Sequence, residues 1–231
     1  SRNLHRWARD YWMHSGYGMV PTLLNSWEGA YFDFNAKTLT DMIDDAADMG
    51  LEMFVLDDGW FANKYPRNND KAGLGDWQVN VAKLPESIDF IASHAHEKGL
   101  KFGIWIEPEM VNPKSELYEK HPDWIVKDNV HAATAMRSQY LLDLSNPKVQ
   151  DFVYGVFDDV MKLSDKIDYI KWDANRHVEN VGSSCLPSDE QTMFWVKYAQ
   201  GLYNVMERVR AKYPDVMIQA CASGCERVKV N

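Results

Sequence analysis

Carboxylates are the residues of this sequence whose spacing best suits chemistry. They follow short apolar runs, as at Asp57-Asp58, Glu107, Asp143 and Asp173. Paired carboxyl groups can serve as nucleophile, acid or base, or can accept hydroxyl protons from a sugar. One loop aspartate more often caps a helix or makes a turn. Their recurrence after several apolar runs predicts a shared polar site.

Lys171 and Asp173 form the most informative pair. Residues two apart in a strand point to the same face, so both side chains are predicted to face inward while Ile170 and Trp172 face the helices. A neighbouring lysine favours an ionised carboxylate, which is what a nucleophile on an anomeric carbon requires. A structural ion pair is the alternative.

Asp57 and Asp58 are consecutive and need a bend in order to reach one site together. They suit hydroxyl recognition. Helix capping is one alternative, and a divalent metal site that includes Glu107 and Glu109 is another. Nearby tryptophans and Lys171 would crowd a metal, so we predict neither metal nor cofactor.

Two further positions leave alternatives open. Arg137 is either a clamp for a hydroxyl or carboxylate group or a surface arginine. Cys221 and Cys225 have metal-like spacing, but no matching histidine pair lies nearby, which disfavours zinc.

Six apolar runs, most of them followed by a helical pattern, must position these residues. The predicted strands are Val20–Trp27, Leu51–Trp60, Leu100–Met110, Gln139–Leu144, Ile167–Trp172 and Val216–Ala220. Helices are predicted near Leu39–Met49, Pro85–Lys98, Ser115–Lys120, Lys148–Leu163 and Asp189–Lys212.

Strand–helix alternation predicts an α/β fold with a parallel sheet. Polar residues at the strand ends, and no Gly-rich phosphate loop after the first strand, favour a (β/α)8 TIM barrel over a doubly wound sheet. We expect residues 1–231 to form a single barrel domain, truncated at the C-terminus to roughly six βα units. A truncated barrel has open strand edges. We therefore expect this chain to be unstable alone, to form a homo-oligomer through these edges, or to be one part of a longer chain.

Composition excludes several classes of protein. The 231 residues are 45% hydrophobic and 26% charged, with a net charge of -9. This acidity disfavours nucleic-acid and anionic-membrane partners, and no apolar run is long enough for a membrane span. The 13% aromatic content suits either a large core or a sugar site. Residues 1–10 do not resemble a signal peptide, and the compartment stays open.

Four motifs occur in order at residues 27–33 (WEGAYFD), 56–61 (LDDGWF), 103–111 (GIWIEPEMV) and 171–176 (KWDANR). With them the chain closely resembles, over nearly its whole length, the catalytic barrel of the α-galactosidases (melibiases) of glycoside hydrolase family 36. The resemblance implies a retaining hydrolase that cleaves terminal α-galactosyl residues from oligosaccharides, with Asp173 as the nucleophile. The implied substrate-binding residues are Trp27, Asp57, Asp58, Trp105, Arg137, Lys171, Asn175, Cys221, Ser223 and Gly224.

Two departures from the family pattern matter. Cys225 and Glu226 replace family glycines beside the expected 2-hydroxyl site, and Lys229 stands where many relatives carry an acidic or amide residue. The family's Ser-Asp-Asn-Thr-Asp-like stretch with the acid/base aspartate is absent, as are its flanking β domains. An α-N-acetylgalactosaminidase, a transglycosylase and a non-catalytic galactose-binding fragment therefore stay open as alternatives.

Overall fold

The structure is a computed structural model that describes residues 2–3, 6–7, 20–128, 130–176 and 180–222. The strands are β1 Leu23–Asn25, β2 Met53–Leu56, β3 Lys101–Ile106, β4 Met110–Val111, β5 Tyr140–Leu141, β6 Ile167–Trp172 and β7 Met217–Ala220. The helices are α1 Trp27–Ala30, α2 Ala36–Asp48, α3 Ile88–Glu97, α4 Glu116–Lys120, α5 Pro147–Met161 and α6 Phe194–Lys212, the last preceded by a 3-10 turn at Gln191–Met193.

Five strands form a parallel sheet in the order β1-β2-β3-β6-β7. In register, Leu56 lies beside Ile104, which in turn lies beside Ile170. The predicted α/β fold with a parallel sheet is therefore present in the described residues. Because parallel strands all end at one edge, the residues that follow them converge there.

The predicted fourth strand, Gln139–Leu144, was wrong in its pairing. Only Tyr140 and Leu141 are extended as a strand, and they pair antiparallel with Met110 and Val111 in a separate two-stranded sheet. Pro108 lies between β3 and β4 and cannot donate a ladder hydrogen bond, so the parallel strand ends before it. The described parallel sheet thus has five strands instead of the six expected.

Local capping explains where several helices begin. Asn146 accepts a hydrogen bond from the Lys148 amide, and Pro147 occupies the first turn of α5. The serine hydroxyl of Ser87 accepts from Phe90 at the start of α3. The predicted helix Asp189–Lys212 begins later, at Phe194, after the 3-10 turn. Among the described residues, no helix has the length and apolarity to cross a membrane.

The two faces of the parallel sheet bury different side chains. Phe54 and Ile170 belong to the large core that the helices cover. Met53, Val55 and Tyr169 form a small separate cluster on the other face. This second face is continuous with the positions of Asp57 and Asp173, because alternate residues share a face. The small cluster therefore lies beneath the residues that end these strands.

Candidate active site

A cavity of about 310 Å³ opens at the carboxyl edge of the parallel sheet. Every described residue that the family resemblance assigned to the nucleophile or to substrate binding lines this cavity. Its lining consists of Trp27, Phe32, Asp57, Asp58, Arg67, Asp70, Trp105, Glu107, Arg137, Gln139, Lys171, Asp173, Asn175 and Cys221. Asp143, which the sequence also placed in a shared polar site, does not line it and instead accepts hydrogen bonds from Ser145 and Ser183. Ser223 and Gly224, with the departures at Cys225, Glu226 and Lys229, lie outside the described residues.

Asp57 follows β2 and is buried between two donors. Its Oδ2 accepts hydrogen bonds from Nζ of Lys171 at 2.7 Å and from Nδ2 of Asn25 at 2.6 Å. The ion-pair partner of Lys171 is therefore Asp57. This pairing runs across the sheet, because Lys171 on β6 extends over the neighbouring strand β3 toward the end of β2. Asp173 acts on Lys171 through its charge. Lys171 does point into the cavity, as its position in the strand predicts.

Asp58 is held by Arg67, a residue that sequence reasoning missed. Nη2 of Arg67 donates to Asp58 Oδ2 at 2.7 Å and Nε donates to Oδ1 at 2.9 Å, in a fork that fixes the carboxylate plane. Both side chains are almost fully buried. Burial raises the pKa of Asp58, and the Arg67 guanidinium opposes that rise. The turn-rich segment Tyr-Pro-Arg-Asn-Asn-Asp was the only local signal for Arg67.

Asp173 lies directly after β6 and accepts several hydrogen bonds. The donors include Nε1 of Trp105 at 3.1 Å, the backbone amide of Ala174 at 2.9 Å and Nδ2 of Asn175. The Cys221 thiol is also hydrogen-bonded to this carboxylate. Trp105 is fixed in turn, because its carbonyl accepts a bond from Nε1 of Trp60 at 3.0 Å. An ionised carboxylate is purely an acceptor, so this set of donors suits a charged Asp173 facing the cavity.

Glu107 lies at the back of the cavity and is 1% exposed. It accepts hydrogen bonds from the Asn175 amide and from Nε2 of Gln139. Burial, reinforced by the charge of Asp173, raises the pKa of Glu107 to about 8. Glu107 is therefore mostly protonated at neutral pH, which sequence reasoning did not anticipate. Its place in a run of strand-end carboxylates was the available signal.

Glu109 points away from the cavity. It accepts hydrogen bonds from Nε1 of Trp172 at 2.9 Å and from the Tyr198 hydroxyl at 2.7 Å. The hypothetical metal site built from Asp57, Asp58, Glu107 and Glu109 is thus not assembled. Within the described part of the chain, no group of three or more potential ligands is arranged to hold a metal ion.

Three predicted residues of the cavity lining remain, namely Cys221, Arg137 and Trp27. Cys221 follows β7, and burial together with the charge of Asp173 raises the pKa of its thiol to about 11. Arg137 is largely exposed and lies in a tight turn beside the cavity. The ring of Trp27 packs edge-on against Tyr31 and Phe32, with centroids 5.2 and 5.1 Å away.

The melibiase family model matches residues 1–231, and the chain belongs to the melibiase family. It is 42% identical over 204 residues to α-galactosidase 1 of Pediococcus pentosaceus and 43% identical over 204 residues to the α-galactosidase AgaA of Geobacillus stearothermophilus. The crystal structure of AgaA superposes with a TM-score of 0.84 at 42% identity over 89% of this chain. A variant of AgaA has been solved in complex with raffinose.

The chain spans only part of these relatives. Each alignment covers 88% of this chain but 27% of the relative. The superposition with AgaA likewise covers 28% of that structure. The relatives are named for the activity of much longer polypeptides.

Proposed function

We propose that this chain carries the nucleophile and most of the galactose-binding wall of a retaining α-galactosidase that acts on oligosaccharides. The observation that carries the proposal is the environment of Asp173. Its carboxylate accepts several hydrogen bonds and faces a cavity whose other walls hold Asp57, Asp58 and Lys171. The names of the relatives and the raffinose complex support a galactoside as substrate.

In the proposed first step, an oxygen of Asp173 attacks the anomeric carbon. A bond forms between them as the bond from that carbon to the leaving oxygen breaks, and a general acid protonates the leaving oxygen. Water then cleaves the glycosyl ester and returns the free carboxylate. We place the general acid outside residues 1–231, since they contain no match to the family's acid/base stretch.

Recognition of the sugar hydroxyls falls to the opposite wall. Asp57 and Asp58 are buried acceptors whose orientations are fixed by Lys171 and Arg67. Trp105 offers an aromatic wall, and Arg137 also lines the cavity. Rigid acceptors of this kind select a sugar by the directions of its hydroxyl groups, because a wrong epimer leaves a buried carboxylate oxygen without its hydroxyl donor.

We further propose that residues 1–231 form one catalytic domain, part of a (β/α)8 barrel. Two observations support this: the described parallel sheet has its cavity at the carboxyl edge, where barrels build their sites, and the superposition with AgaA is close.

The test is hydrolysis of an aryl α-galactoside with a good leaving group, which needs little acid assistance. It uses the complete polypeptide that contains these 231 residues. Asp173→Ala should lower kcat/KM by at least about 10³-fold. Asp165→Ala is the matched control, because Asp165 is an exposed aspartate just before the same strand. Equal turnover by wild type and Asp173→Ala would refute the assignment.

Covalent trapping separates catalysis from simple binding. A 2-fluoro galactosyl fluoride should label the peptide that contains Asp173 and no other peptide. Galactose binding without labelling would refute hydrolysis and support the non-catalytic galactose-binding alternative. Hydrolysis of an aryl 2-acetamido-2-deoxy-α-galactoside, without hydrolysis of the aryl α-galactoside, would support an α-N-acetylgalactosaminidase instead.

A further inference from the structure

Asn112 is a buried residue just outside the cavity whose side chain is completely hydrogen-bonded. It directly follows β4 and has no exposed surface. Its Oδ1 accepts from the Leu74 amide at 2.8 Å and from Nη1 of Arg67 at 3.2 Å. Its Nδ2 donates to the carbonyls of Ser138 at 2.7 Å and of Asp70 at 3.2 Å. A carboxamide has two acceptor sites and two donor hydrogens, so none is left over.

These four bonds join the loop from Arg67 to Leu74 with the distant turn at Ser138. Arg67 is the residue that clamps Asp58. The bonds to Asp70 and Leu74 close the loop that follows Arg67, and Asp70 itself lines the cavity. The bond to Ser138 reaches a segment far along the chain. One buried side chain therefore sets the spacing between parts of the wall that the backbone does not connect closely.

The turn at Ser138 is a part of the wall that needs such support. Arg137 and Ser138 have φ values of 51° and 60°, a left-handed conformation that is unfavourable for residues other than glycine and asparagine. Met136 and Gln139 close the turn with reciprocal backbone hydrogen bonds. Strained residues persist only where their surroundings hold them. Asn112 holds this turn from the protein interior through its hydrogen bond to the Ser138 carbonyl. The turn thereby places Arg137 at the cavity.

We propose that Asn112 is a positioning residue for the sugar-binding wall, which it holds in the shape that receives a galactosyl ring. The inference rests on the proposed function. Asn112 acts on Asp58 through Arg67 and on Arg137 through Ser138. Asp173 is positioned by different donors, Trp105 among them. Loss of Asn112 should therefore weaken sugar binding while leaving the nucleophile in place.

Two variants and a control test this in the complete polypeptide. Asn112→Ala removes all four bonds. Asn112→Asp is nearly isosteric but turns an oxygen toward the Asp70 and Ser138 carbonyls, which breaks the donor half, and it places a carboxylate that competes with Asp58 for Arg67. Ser164→Ala is the control: Ser164 is also a buried hydrogen-bonding residue, but it lies before β6, at the opposite edge of the sheet.

Both Asn112 variants should raise the Kd of galactose and the KM of the aryl α-galactoside by about tenfold, the effect of losing one charge-assisted hydrogen bond. The 2-fluoro sugar at saturation should still label Asp173 completely. Ser164→Ala should change Kd by less than about twofold, even where its loss of thermal stability is as large. Unchanged galactose affinity in folded Asn112→Ala would overturn the proposal, and so would loss of labelling at Asp173.

The exchange rates of backbone amides measure, without any sugar present, whether Asn112 holds the loop after Arg67 and the turn at Ser138 in place. Amides in residues 68–74 and 136–140 should exchange faster in Asn112→Ala than in Ser164→Ala. Equal exchange in both segments would overturn the proposal. Failure of the wild type to bind galactose or to hydrolyse galactosides would refute the proposed function, and the exchange comparison would still decide whether Asn112 holds the wall.

Discussion

Replacing Glu107 with glutamine should make the protein more stable in neutral and mildly alkaline solution. Glu107 is buried beside Asp173, and its pKa is raised from 4.5 to about 8, first by burial and then by that charge. Glutamine has nearly the same shape and stays neutral. Its side-chain oxygen can still accept from Gln139 and from the Asn175 amide.

The sign and size of the effect follow from proton linkage. Because the folded-state pKa lies above the unfolded value, the contribution of Glu107 to stability is present below pH 4.5 and is lost as the pH rises toward 8. With these two pKa values, the cost of folding relative to a neutral side chain is about 1 kcal/mol at pH 5 and about 4 kcal/mol at pH 8. The free energies of unfolding of wild type and Glu107→Gln should therefore diverge by about 3 kcal/mol across this window.

Urea denaturation of the complete polypeptide at pH 5, 6, 7 and 8 measures this divergence. Glu97→Gln controls for the loss of one acidic group, because Glu97 is exposed at the end of α3. Parallel curves for wild type and Glu107→Gln would refute the reasoning, since Glu107 would then titrate alike in the folded and unfolded chains. A wild type that gains stability relative to the variant as the pH rises would refute the sign.

Three smaller predictions concern packing and reactivity. Gly103→Ala should destabilise the protein by about 1–3 kcal/mol in urea denaturation, because a Cβ there would lie 2.6 Å from the Tyr169 ring; no loss of stability would contradict this packing. Gly155→Ala, in an open position within α5, should stabilise by up to about 1 kcal/mol in the same assay; destabilisation would contradict the open space. At pH 8, iodoacetamide should alkylate exposed Cys185 well before Cys221, whose thiol pKa is raised to about 11, as peptide mass spectrometry can show; equal rates would contradict that shift.

The sequence was sufficient to predict the local part of the fold. Buried runs such as Ile167–Trp172 form strands of the parallel sheet as expected. The tail of the predicted strand Leu100–Met110 and the run Gln139–Leu144 were misjudged, because an apolar pattern predicts extended backbone without specifying its partner. Met110 and Val111 pair antiparallel with Leu141 and Tyr140, outside the parallel sheet.

Within the site, the sequence could predict the directions of side chains that lie on or directly after one strand. The alternation of side chains along a strand predicted that Lys171 and Asp173 face the same side, and both line the cavity. It could not predict that Lys171 would pair with Asp57, because that contact joins residues 114 positions apart. Arg67 and Asn112 were missed for a related reason: each acts through loops whose shape depends on contacts between distant segments of the chain.

The crowding of acidic side chains in the cavity also affects how the sequence would change in evolution once the site is no longer under selection. Burial raises the pKa of both Asp58 and Glu107, so these side chains oppose folding while they prepare the site. The buried aromatic residues Trp60 and Trp105 have the opposite effect, because they pack within the core. Under the proposed function, descendants no longer selected for galactoside hydrolysis should therefore replace the acids with neutral residues early and keep the tryptophans. A relative that keeps these aromatic residues but lacks the buried acids would therefore be expected to have lost catalytic activity.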